Sequence, residues 1–83
     1  MNHFNKIISE QMKTMEKLLY LQSEIERCQE LEIQLIELQE ETELENLKSE
    51  IIDMKRELHK IQQLFESQTE EVIRVYQETK IFV

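Results

Sequence analysis

Glycine, proline and tryptophan are absent from all 83 residues, and cysteine occurs once. Without glycine or proline the chain lacks the residues that ordinarily build tight turns, phosphate-cradling loops and helix breaks. A lone cysteine excludes an internal disulfide. Apolar runs are short. The longest, Leu18 to Leu21, spans four residues, against about 20 needed to cross a bilayer. The opening MNHFNK has no apolar signal-peptide core, so the chain reads as cytoplasmic. Basic side chains are also scarce, ten against 18 acidic, for a net charge of −8. That surface repels phosphate backbones and anionic membranes, which argues against nucleic acid or membrane as partner. At 83 residues the chain is one folding unit with too little core for a deep enclosed active site.

What is present is helical periodicity. Leu44, Leu47, Ile51, Met54, Leu58, Ile61 and Phe65, then Val72, Val75 and Phe82, recur at steps of three and four, the spacing of a helix-pairing stripe. At 100° per residue, Leu35 and Leu38 point about 180° away from Leu44 and Leu47. A single straight helix would therefore aim its two halves in opposite directions. A chain reversal removes the conflict. The reading is all-α, an antiparallel two-helix coiled-coil hairpin with helices at about 3–38 and 43–81 and a turn near 39–43. One continuous coiled-coil rod is the alternative.

Folding near Glu41 places together residues whose numbers sum to 82 or 83. Leu38 then meets Leu44, Leu35 meets Leu47, and Leu31 meets Ile51. Cys28 faces Met54, Ile25 faces Leu58, Leu21 faces Ile61, Leu18 faces Phe65 and Ile8 faces Val75. The first helix must slip by one residue between Ile25 and Cys28. Met15 opposite Gln68 and Phe4 opposite Thr79 are weaker layers. This register pairs Arg27 with Glu57, Lys13 with Glu71, Lys6 with Glu78 and Glu32 with Lys48, all of opposite sign. Thr42 and Glu45 read as a capping box at the start of the second helix. The crowded Glu37, Glu40, Glu41, Glu43 and Glu45 read as a solvated turn.

Leu19, Ile33, Ile36, Ile52, Ile73 and Tyr76 fall off the seam, and Tyr20 and Leu64 flank it. Exposed apolar residues of this kind mark an interface, with a second copy in a four-helix bundle or with a helix of another protein. Cys28 reads as a small hydrophobe on the seam. His3 and His59 lack the clustered ligands or the Glu-x-x-His spacing of a metal site, so no metal and no cofactor are expected. Lys55, Arg56, His59 and Lys60 form one basic patch, read as a salt-bridged, solvated face. The terminal Ile81, Phe82 and Val83 are expected to close the seam against Met1 and Phe4.

The stretches ISEQMKTMEKLL (Ile8 to Leu19) and SEIERCQELE (Ser23 to Glu32) are similar to a family of short Bacillus proteins called YgaB-like. The resemblance implies a small bacterial cytosolic protein and carries over no catalytic or binding residues. The functional expectation is a non-catalytic interaction or structural protein that associates with itself or with another protein's helix and takes no small-molecule substrate. The alternative is an acidic regulator that occupies a basic surface.

Overall fold

A computed structural model describes the backbone of residues 2–81 and the side chains of residues 2–79. Two helices, α1 (Asn2–Glu37) and α2 (Glu41–Ile81), pack against each other as a hairpin about as long as α2. The Cα extents are 64 × 14 × 13 Å. The expected sealing of the seam by Met1, Phe82 and Val83, and by the Ile81 side chain, lies outside the described residues.

The reversal is built without glycine. Gln39 takes φ 58°, the left-handed conformation that a side chain disfavours. Gln39 N–H donates to the Ile36 carbonyl at 3.2 Å, and Glu40 N–H donates to the Leu35 carbonyl at 3.1 Å. Together these form a Schellman C-cap, which satisfies carbonyls that the helix end leaves open. The Glu40 carbonyl then accepts from Leu44 N–H at 2.9 Å, so Glu40 is the N-cap of α2. The turn therefore lies at residues 38–40, earlier than the expected 39–43. The Thr42–Glu45 capping box is corrected: Thr42 sits inside the first turn of α2. Glu41 and Glu43 occupy that turn, where the helix dipole favours negative charge.

A turn centred on Gln39 changes the register. The Phe4 and Tyr76 rings meet tilted, with centroids 6.3 Å apart, and Gln11 bonds Thr69. The residue numbers of both pairs sum to 80, not to 82 or 83. Cys28, Leu35, Leu47 and Ile51 form the buried cluster, with Leu44 and Met54 against it. On α1 the positions turned inward are Phe4, Ile7, Gln11, Thr14, Leu18, Leu21, Ile25, Cys28, Glu32 and Leu35, all buried or half-buried. Their steps alternate three and four without a slip. On α2 the same holds for Leu44, Leu47, Ile51, Met54, Leu58, Ile61, Phe65, Gln68, Val72, Val75 and Thr79.

Two expected seam residues are thereby corrected. Leu31 is 37% exposed and Leu38 is 69% exposed; Leu38 has passed into the turn, and Glu32 takes the inward position beside Leu31. The remaining expected seam residues, Leu18, Leu21, Ile25, Cys28, Leu35, Leu44, Leu47, Ile51, Met54, Leu58, Ile61, Phe65, Val72 and Val75, are buried or half-buried.

Candidate functional site

The seam carries more polar side chains toward the chain termini than near the turn. Gln11 Nε2 donates to Thr69 Oγ1 and lies 3.5 Å from the Phe65 carbonyl. Thr69 Oγ1 in turn donates to that carbonyl at 2.9 Å. Buried Thr14 is satisfied within its own helix, donating to the Glu10 carbonyl at 3.2 Å. Gln68 Oε1 is buried with no hydrogen-bond partner. These polar layers interrupt the apolar seam and favour one register over its neighbours.

The expected cross-seam ion pairs are not formed. Among the described residues the ion pairs run within single helices. Arg27 turns to Glu24 at 2.9 Å, Arg74 to Glu78 at 3.0 Å and Arg56 to Asp53 at 3.8 Å. The shifted register offers the reason. It moves Arg27 out of line with Glu57, Lys13 with Glu71 and Lys6 with Glu78, and it turns Glu32 inward, away from a surface pairing with Lys48. The Arg27 guanidinium donates to Glu24 and holds its carboxyl below the usual glutamate range.

The packing leaves the hairpin two-sided. Residues one and four places after inward Gln11, Leu18, Glu32, Ile51 and Val72 lie on one flank of the seam. Antiparallel pairing sets these positions of both helices on the same flank. They include Met12 and Met15, Leu19, Ile33 and Ile36 from α1, and Ile52, Ile73 and Tyr76 from α2, all exposed. Thus the six residues singled out in the sequence, Leu19, Ile33, Ile36, Ile52, Ile73 and Tyr76, share one face. Met12 and Met15 extend it, and with Phe65, Gln11 and Glu16 they line an apolar groove. The sequence reading had set Met15 opposite Gln68 and gave Met12 no place. Tyr20 and Leu64 are exposed on the other flank. That flank is mixed in charge: Glu10, Glu24, Glu43, Glu50, Asp53, Glu57, Glu71 and Glu78 alternate with Lys6, Lys13, Lys17, Arg27, Lys60 and Arg74.

Lys55, Arg56, His59 and Lys60 line a shallow groove on α2 with Ile52 and Gln63. Cys28 is a free, buried thiol. Among the described residues no group of three or more His, Cys, Asp or Glu is placed to hold a metal ion, and no helix is long and apolar enough to cross a membrane.

The family model described as YgaB-like protein matches residues 3–79. Among curated proteins the chain is 45% identical over 80 residues to the uncharacterized protein YgaB of Bacillus subtilis (strain 168), covering 96% of this chain and 70% of that relative. No solved structure matches it.

Proposed function

The chain belongs to the YgaB-like family, and from that premise we propose that it is a non-catalytic helix-pairing protein that works by self-association through the apolar flank of its hairpin. The observation that carries this reading is the convergence of Leu19, Ile33, Ile36, Ile52, Ile73 and Tyr76 on one flank, all at least half exposed. Exposed apolar residues gathered on one face of a small chain mark an interface, here in groups separated by polar positions such as Glu26 and His59. The seam supports the same reading: no described side chain is fully buried, so a lone hairpin is marginal and gains from a second layer. A cytoplasmic setting suits a buried thiol with no disulfide partner.

Light scattering of the purified chain tests the reading, with circular dichroism on two variants. The expected mass is a multiple of the 10.2 kDa chain. Ile36→Glu reduces the mass to one chain while helix content persists. Leu58→Glu, which puts a charge on the seam, abolishes the helical signal. A parent protein that stays at one chain mass across concentration overturns the reading.

The net charge of −8 and the exposed Glu37, Glu40, Glu41, Glu43 and Glu45 around the turn support a second reading, an acidic binder that occupies a basic surface of another protein. Salt-sensitive capture of one basic partner, unaffected by Ile36→Glu, separates it from the first.

A further inference from the structure

The fold distributes its sulfur atoms unevenly, and the most accessible ones sit on the apolar flank. Met12 is 62% exposed and Met15 39% exposed. They stand between half-buried Ile8 and exposed Leu19 along α1, at steps of four, three and four. Both line the groove beside Phe65. The other described sulfurs are withdrawn: Cys28 is buried, and Met54 packs half-buried against the same cluster. The neighbouring apolar members of the flank, Leu19, Ile33, Ile36, Ile52, Ile73 and Tyr76, carry no sulfur.

A methionine thioether is apolar and polarisable, which suits an adaptable contact surface. A peroxide converts it to the sulfoxide. The O–O bond breaks, sulfur gains one oxygen and gives up two electrons, and hydrogen peroxide leaves as water. The new oxygen is a hydrogen-bond acceptor. In a single hairpin it stays in water at no cost, and neither methionine belongs to the seam, so the helices keep their packing. Covered by apolar side chains, the same oxygen must lose its water. The polar groups lining the groove offer no replacement: the Gln11 amide already donates to Thr69 and reaches the Phe65 carbonyl, and the Glu16 carboxylate only accepts. The modification therefore penalises the assembled state alone and draws copies out of it by mass action.

Resting on the self-association reading, we propose that Met12 and Met15 are a modification site that regulates it. Oxidation of their thioethers by a peroxide, in the unassociated hairpin, holds the chain in the single-copy state with both helices intact. A methionine sulfoxide reductase drawing on a thiol reductant restores the thioethers, and with them the assembly.

The test uses the full chain and a Met12→Leu/Met15→Leu variant, which keeps every other oxidisable side chain. Each is treated with hydrogen peroxide, quenched with catalase, and followed by light scattering, circular dichroism and peptide mass mapping. The expected parent assembles before treatment and gains one oxygen at each of the two methionines. It then falls to the single-chain mass of 10.2 kDa with its helical signal kept, as self-association weakens by about tenfold or more. The leucine variant stays assembled under the same treatment. A single-chain mass before any peroxide overturns self-association and the switch together. A parent that stays assembled with both methionines oxidised, or a leucine variant that dissociates alongside it, overturns the switch and leaves self-association standing. The rate of Met12 oxidation in excess peroxide is a check that needs no variant. Coverage by a second copy makes that rate fall as protein concentration rises through the assembly range. A rate independent of concentration places Met12 outside the interface and refutes the proposal.

Discussion

The side-chain amide of Gln11 donates to the hydroxyl of Thr69, 58 residues away in the chain and directly across the seam. Thr69 passes the interaction on to the Phe65 carbonyl, so a polar bridge ties the two helices together where the apolar ladder is interrupted. Thr69→Val removes the nearer acceptor and leaves the Gln11 amide only the 3.5 Å contact to the Phe65 carbonyl, at a cost of about 1 kcal/mol. For a chain of this size the melting temperature falls by about 4–8 °C. Pairing Thr69→Val with Gln11→Leu recovers most of that loss, because both polar partners are then gone. A thermal melt in which the double variant is the least stable contradicts the bridge.

Gln68 is the counter-case. Its buried Oε1 has no partner, and an unpaired buried carbonyl costs about 1–3 kcal/mol. Gln68→Leu is therefore stabilising by roughly 1–2 kcal/mol, visible as a higher urea midpoint at an unchanged slope. A lower midpoint refutes the assignment.

Gln39 holds the left-handed position that closes α1. Glycine has no side-chain penalty there, so Gln39→Gly stabilises by about 1 kcal/mol. Gln39→Val, with a branched side chain at positive φ, destabilises by more than that. Denaturation midpoints ordered Gly, Gln, Val confirm the turn. Equal midpoints would indicate a different reversal.

Arg27 lowers the Glu24 pKa by donating to its carboxylate. The folded-state pKa is below the unfolded one. The contribution to stability is therefore complete above the ordinary glutamate range and is lost as pH falls through the folded-state value. In a carboxyl-resolved NMR titration Glu24 titrates at lower pH than free glutamate, and Arg27→Gln moves it back up. The effect on stability is small, since exposed pairs contribute little.

Most of the fold was legible in the residues, and the departures have identifiable causes. The α2 stripe from Leu44 to Val75 could be read directly because nearly every inward position is apolar. On α1, Gln11, Thr14 and Glu32 occupy inward positions and hide the ladder, while Leu31 and Leu38 lie beside it. Choosing the leucines required a one-residue slip between Ile25 and Cys28. The signal that avoids the slip was present: from Phe4 to Leu35 the inward steps alternate three and four without interruption, provided polar residues are admitted. The turn escaped for a related reason. Nothing in a glutamine marks a left-handed conformation, whereas Thr42 and Glu45 resemble a cap.

Composition and periodicity alone determined that the chain is helical, reverses once, and carries apolar residues beyond what one seam can use. These follow from local rules, namely helix propensity and the 100° turn per residue. Register, the turn's conformation and the partners of each charged group were decided only by the tertiary structure. Neighbouring registers differ by small sums of packing and hydrogen-bond terms between residues far apart in the chain. The choice depends on where Gln39 places the reversal and on which polar groups, such as Gln11 and Thr69, find each other across the seam.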